Sequence, residues 1–235
     1  MKRVIVKLSG EAFAGGNPAG INATAVRDIA KEIQALVEIG YQVGIIIGAG
    51  NIWRGRDAAE NGMERASADY MGMLGTILNS LALQNALESF GVKTRTMTAI
   101  EIPSVAEPYI RRKAISHLEK GYVVILGGGT GNPFFSTDSA AALRAAEIGA
   151  KTILMAKNGC DGVYDADPKK DKNAKKFTKI TYQELIERQL QVMDLTAATL
   201  CRENDIKTIV FDMNVKGNVV RVLEHPEIGT VIENN

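Results

Sequence analysis

A chain of 235 residues is long enough to bury a full core, and 46% hydrophobic with 23% charged residues excludes a disordered or fibrous polymer. A formal charge of +1 argues against a protein built to coat nucleic acid, so an anionic ligand must be held locally. Two cysteines without metal-ligand spacing, Cys160 and Cys201, support neither a disulfide framework nor a zinc site, and point to a reducing, cytoplasmic compartment.

The apolar run at 4–8 is too short for a membrane span and reads as a first strand. Further strands are predicted at 42–47, 93–97, 122–126, 152–155, 208–211 and 230–232. Between them lie helix-like stretches, the alternation that produces a mainly parallel sheet, and no linker divides the chain, so a single domain over 1–235 is expected. In the first helix Val26, Ile29, Ala30, Ile33, Leu36 and Val37 fall at helical spacing, with Asn22 as N-cap and Gly40 as stop. A long helix over 67–90, closed by Gly91, carries Met71, Leu74, Leu78 and Leu81 on one side, and its remaining apolar residues invite a subunit contact. Helices follow at 109–120, 139–148, 182–189, 195–204 and 218–223, with Thr181 and Glu184 as a capping box. The polar stretch 165–176 reads as a surface loop; its lysines have no interleaved aromatics and do not read as a nucleic-acid patch. His117 and His225 have no ligand or nucleophile spacing around them.

Three predicted strands run into glycine-rich turns: Ser9-Gly10 after the first, Gly48-Ala49-Gly50 after the second, and Gly127 to Gly131 after the fourth. In an open parallel sheet the carboxyl ends of the strands share one rim, where ligands bind. Glycines let backbone N–H groups approach phosphate oxygens, and a following helix adds its positive end. Any one of these turns could be only a tight connection; three together point to a phosphate-rich ligand set. A Walker A loop is excluded because no Gly-Lys dipeptide occurs, and the dinucleotide fingerprint fails because Trp53 and Phe134 stand where the third glycine should be. Lys7, at the end of the first strand, could reach between donor and acceptor phosphates, and Arg54 offers a planar fork to a terminal phosphate. Otherwise these are a strand-end lysine and an ordinary ion-pair arginine. Trp53 reads as packing for the second turn.

These residues resemble the bacterial UMP kinases of the amino-acid kinase family over nearly the whole chain. The segments that carry the resemblance are 7–12, 48–54, Ala68 to Gly72, 130–138, 161–164 with Asp167-Pro168, and Val192 to Asp194. It implies a three-layer αβα sandwich of the amino-acid kinase type and transfer of the γ-phosphoryl group of ATP to UMP. It further implies that Lys7, Leu8, Ser9 and Gly10 face the transferring phosphates, and that Ala49, Gly50 and Arg54 hold the UMP phosphate. Asp69 would take the ribose hydroxyls, while Thr130, Gly131, Asn132, Pro133, Phe134, Phe135, Ser136 and Thr137 would wrap uridine. Asn158, Tyr164 and Asp167 correspond to the adenine and ribose side of the ATP site. Asp138 and Asp194 correspond to acidic positions that orient Lys7 or a hydrated Mg²⁺ carried mainly by nucleotide phosphates; Asp138 also suits the first turn of any helix, where the dipole favours a carboxylate. The resemblance implies as well a homohexamer, activation by GTP with Arg95 at the effector position, and inhibition by UTP. Ala49 stands where a third glycine is frequent, Ser136 where a threonine is frequent, and Tyr122 where some members carry arginine. A sibling kinase acting on aspartate, glutamate, acetylglutamate or carbamate would share Lys7 and the glycine turns, and a nucleotide-sensing module without turnover, or a regulator that also binds DNA, remains the alternative outside the enzyme class.

Overall fold

The computed structural model describes residues 2–54, 62–168 and 170–234; Lys169, at the head of the lysine-rich loop, lies outside them. Its centre is a nine-stranded sheet in the order β4-β3-β5-β2-β1-β6-β10-β11-β9. The strands are β1 (Arg3–Leu8), β2 (Gln42–Ile47), β3 (Thr94–Thr98), β4 (Glu107–Pro108), β5 (Val123–Gly127), β6 (Thr152–Lys157), β9 (Lys179–Thr181), β10 (Lys207–Asp212) and β11 (Thr230–Glu233). Among the described residues of this sheet only β10 and β11 pair antiparallel. A separate antiparallel ladder joins β7 (Val163–Tyr164) to β8 (Lys176–Phe177) inside the stretch expected to be a plain loop. The sequence reading missed β4, β7, β8 and β9 because strands of two or three residues are too short to show a period.

The central strands read as unbroken Val and Ile runs because both of their faces are covered. On one face lie α1 (Ala23–Glu38), α2 (Arg65–Ser89) and α7 (Asn218–Glu224); on the other lie α3 (Arg111–Glu119), α4 (Thr137–Ile148), α5 (Tyr182–Glu187) and α6 (Leu195–Glu203). Each face has its own apolar core, so the chain is a three-layer αβα sandwich. Asn22 caps α1, accepting from the amides of Thr24 and Ala25 at 3.0 and 3.1 Å, and the apolar stripe of α1 is buried against β1 and β2. Fully burying such a side chain contributes roughly 1.5 to 3 kcal/mol. Thr181 caps α5 through the Glu184 amide at 3.1 Å, while the Glu184 carboxylate pairs with Arg188 instead of completing the box.

The long helix α2 departs from its sequence reading. Met71, Leu74 and Leu78 are exposed, and the buried side instead carries Met73, Gly75, Thr76, Ile77, Asn79, Ser80 and Leu83. This buried side lies against the glycine turns, where backbone must approach closely and its polar groups need partners, so small and hydrogen-bonding residues replace bulky apolar ones. No helix among the described residues is long and apolar enough to cross a membrane.

Candidate functional site

The sheet order reverses at β1: β2 lies on one side of it and β6 on the other, with α1 and α4 on opposite faces. Such a switch point opens a crevice at the carboxyl ends of the strands. Lys7 is the penultimate residue of β1 and Lys157 the last of β6, two strands in parallel register. Between them stands Asp138 from the first turn of α4, 2.6 Å from Lys7 and 3.8 Å from Lys157. The Lys7 and Asp138 side chains are 10% and 14% exposed, so this is an inward-facing triad. Burial alone would raise the Asp138 carboxyl, but Lys7 first and then Lys157 outweigh it and hold the group below its usual range. The Lys157 ammonium is pushed down, by burial above all and by Lys7, against the attraction of Asp138. Lys157 was not singled out from the sequence. Its signal was present, because it stands at the carboxyl end of a parallel strand, as Lys7 does.

The first two glycine turns meet on this rim, and the third borders a cavity shared with the second. A Cβ on Gly10 would lie 2.5 Å from the Gly48 carbonyl oxygen, 2.7 Å from the Gly50 nitrogen and 2.8 Å from Asn51 Oδ1, so the first and second turns touch through backbone. Thr137 Oγ1 is 3.5 Å from the corresponding point on Gly48, which brings the start of α4 alongside. Behind them Asn51 and Asn79 exchange amide hydrogen bonds of 3.0 and 2.8 Å, and Asn79 also donates to the Gly48 carbonyl at 2.8 Å. Thr76 Oγ1 accepts from the Gly128 amide at 2.8 Å. Trp53 donates to the Ala68 carbonyl at 2.9 Å, in the packing role expected of it. The sequence reading missed this scaffold; two asparagines spaced far apart give no periodic signal.

Asp69 near the start of α2 forms two 2.9 Å contacts with Arg65 Nε and accepts from the Phe134 amide at 2.8 Å. Phe134 has φ +73, a left-handed conformation held by that bond, and its ring and that of Phe135 are exposed. A cavity of 120 Å³ is lined by Ala49, Asp69, Thr130, Asn132, Phe135 and Thr137 among others, so all three segments assigned to the acceptor nucleotide border one space. Gly131, at φ +84, would press a Cβ to 3.1 Å from the Ala99 carbonyl oxygen, and Pro133 precedes Phe134 in the same turn. Arg54 is exposed and ion-paired with Glu11 from the first turn. Ser136 caps α4, accepting from the Asp138 and Ser139 amides at 3.0 and 3.1 Å, and its hydroxyl donates to Asp194. Asp194 in turn caps α6 through the Ala197 amide and accepts from the Ser139 hydroxyl, each at 2.8 Å.

A larger cavity of 540 Å³ borders Leu8, Glu11, Ala12, Asn158, Asn214 and Lys216 among others, so Asn158 reaches open space next to the first turn. Ser9 precedes the 3₁₀ turn that begins at Gly10 and does not cap it with its side chain. Tyr164 and Asp167 do not line this cavity. Tyr164 donates to Asp161 at 2.7 Å on the β7–β8 hairpin, and the Asp167 carbonyl accepts from the amides of Lys170 and Asp171 in an exposed turn. Arg95 is also remote in topology, on β3, with Tyr122 beneath its guanidinium at 4.7 Å and Glu107 of β4 at 3.5 Å. The fold brings Glu107 to 3.2 Å from the His117 ring and Tyr122 into edge contact with it. His225 faces Glu227 at 3.2 Å on the surface.

The sequence profile of the amino acid kinase family matches residues 2–212. Uridylate kinase of Limosilactobacillus reuteri (strain DSM 20016) is 57% identical over 232 residues, 99% of this chain and 97% of that protein. The crystal structure of UMP kinase from Bacillus anthracis superposes with a TM-score of 0.96 at 43% identity, covering 100% of this chain and 96% of its own. The crystal structure of UMP kinase from Ureaplasma parvum gives 0.94 at 40% identity, covering 99% of each.

Proposed function

Because this chain belongs to the amino acid kinase family, we propose that the crevice at its switch point transfers the γ-phosphoryl group of ATP to UMP, forming UDP and ADP. The observation that carries phosphoryl transfer is the buried Lys7–Asp138–Lys157 triad on the rim where the first two glycine turns touch and the third shares a cavity with the second. Two ammonium groups and converging backbone amides offset charge that develops on phosphate oxygens, and positioning with electrostatics is most of what this chemistry requires. Asp138 keeps the two lysines apart and aimed. An oxygen of the UMP phosphate attacks the γ-phosphorus in line as the bond to the β,γ-bridging oxygen breaks, and the electron pair leaves with ADP. The attacking phosphate is already anionic at neutral pH, so no general base is assigned.

Arg54 and the turn at Ala49 and Gly50 would receive the acceptor phosphate, Asp69 the ribose, and residues 130–137 the base; Ala49, Asp69 and the 130–137 segment border one cavity, and Arg54 Nε lies 3.9 Å from where a Cβ on Gly50 would stand. Leu8, Ser9 and Gly10 would face the donor phosphates. The 540 Å³ cavity with Asn158 on its wall supports the donor nucleoside lying beside them; Tyr164 and Asp167 would have to approach from the neighbouring hairpin. Among the described residues no three His, Cys, Asp or Glu side chains gather as a metal site. With Asp138 and Asp194 both engaged, a magnesium ion would arrive on the nucleotide phosphates, where it neutralises charge on the β- and γ-oxygens.

One sheet running through both halves supports a single functional domain. The exposed Tyr70, Met71, Leu74 and Leu78 on α2 support assembly into a homo-oligomer, read here as a homohexamer built from dimers. Activation by GTP through Arg95, inhibition by UTP and a cytoplasmic location complete the reading. The test is ADP release with UMP, CMP, AMP, aspartate and carbamate as acceptors, repeated with Lys7→Ala. Preference for any acceptor but UMP, or full activity of the lysine variant, overturns it.

A further inference from the structure

At the rim opposite the glycine turns, where β1, β2, β6 and β10 begin, lies a second large cavity of 570 Å³. Among its lining residues are Lys2, Arg3, Lys151 and Lys207, and none is Asp or Glu. Helix ends account for part of this charge. Arg3 donates to the carbonyl of Ile148 at the end of α4 and has Glu119 at 3.8 Å, while Lys151 donates to the carbonyl of Asn204 at the end of α6 at 3.0 Å. Those contacts fix both side chains in place. Lys2 stands 6.0 Å over the Tyr41 ring and Lys207 opens β10 half-buried; among the described residues no carboxylate pairs with either. Converging cations repel unless an anion joins them.

We propose that this cavity is a binding site for a small metabolite carrying two or more phosphate groups, separate from the site at the switch point. Four cations match that multiple charge, and the ammonium groups of Lys2 and Lys207 are free to turn toward it, while Arg3, whose Nε donates to Gln42 at 2.9 Å, adds its charge from a fixed position. The volume lies in the range of small-molecule sites, which favours a compact ligand over a polymer. The Tyr41 ring supplies one flat wall.

The probe is inorganic tripolyphosphate, titrated calorimetrically into the full-length protein with the switch-point site saturated by UMP and a non-hydrolysable ATP analogue. One equivalent binds per chain, and Lys2→Glu with Lys207→Glu weakens it by about tenfold or more. The milder pair Lys2→Met and Lys207→Met weakens it in the same direction, and both pairs keep the wild-type transfer rate because neither residue touches that site. Tighter binding of a nucleoside triphosphate than of tripolyphosphate assigns the site to nucleotides; equal binding assigns it to the phosphate chain. No saturable binding, binding unchanged in both variant pairs, or binding of single-stranded oligonucleotide but not tripolyphosphate overturns the proposal. Because loss of binding in these variants is read directly, failure here is distinct from failure of the kinase reading.

Discussion

The Asp138 carboxylate meets the Lys7 ammonium at 2.6 Å with both side chains largely buried, and Lys157 waits at 3.8 Å on its other oxygen. Asp138→Asn removes the one negative group between two lysines, and breaking a buried pair from one side costs about 3 to 5 kcal/mol. Bound nucleotide phosphates would replace the lost charge. Denaturant unfolding at pH 7 should therefore show a large loss for the free variant and a smaller one with ATP present; equal losses would remove the electrostatic account. The folded Asp138 titrates below its ordinary value of 3.8, so its contribution is present above that pH and disappears as pH falls through the lower folded value. Acid unfolding of the wild type should be steeper below about pH 4 than that of Asp138→Asn.

Gly10 has backbone and Asn51 within 2.8 Å of where a Cβ would be, and neither the Gly48 carbonyl nor the Gly50 amide can swing away. Gly10→Ala should force the first two turns apart, reducing kcat/KM by about a hundredfold or more, as expected when phosphate-positioning groups are displaced. A variant with wild-type kinetics would show that the turns need not touch.

Glu11 occupies Arg54 in the absence of ligand, with both side chains about half exposed. An exposed pair is worth roughly 0.2 to 1 kcal/mol, so Glu11→Gln should lower KM for UMP by at most about fivefold and leave kcat unchanged. Steady-state kinetics at 50 mM and 300 mM salt check this, because the gap between variant and wild type should narrow as salt rises. A rise in KM instead means that Glu11 positions Arg54 rather than competing for it.

Asp194 joins α6 to the cap of α4 through Ser136 and Ser139. Loss of an N-cap costs about 1 kcal/mol, and Asp194→Ala should show at least that in unfolding, together with a higher KM for UMP as the 130–136 turn loosens. Asparagine also caps well, so Asp194→Asn should recover most of the stability but less of the KM. Identical behaviour of the two variants would restrict Asp194 to helix capping.

Burial pushes the Cys201 thiol up to about 11, against the lowering effect of its hydrogen bonds to Tyr182 and Thr208. A thiol reagent at pH 8 should modify half-buried Cys160 in the native protein and Cys201 only on unfolding. Since the folded thiol titrates above its ordinary value of 9.0, its contribution is full below pH 9 and is lost as pH rises toward 11. Two rapidly reacting thiols would contradict the buried placement.

Much of this protein was legible as a string because its signals are local. Asn22, Gly40 and the Val26 to Leu36 stripe mark α1 by period and by cap; the runs at β1, β2 and β6 mark buried parallel strands; and the absence of any Gly-Lys dipeptide disposes of a Walker loop. Lys7 and the three glycine turns could be placed on one rim because parallel strands leave all their carboxyl ends together. What a period cannot encode is which groups meet across the sheet. Neither Asp138 between Lys7 and Lys157, nor the paired amides of Asn51 and Asn79, nor Asp69 on the Phe134 amide follows from spacing, because each joins residues brought together by the crossovers. The face of α2 was read the wrong way round for the same reason: the helix packs on glycine turns that need small and polar neighbours, and only the tertiary structure shows which side meets them. The sequence by itself determined the layers, the direction of the strands and the chemistry of the turns; the packing of those turns decided which side chains share the charge.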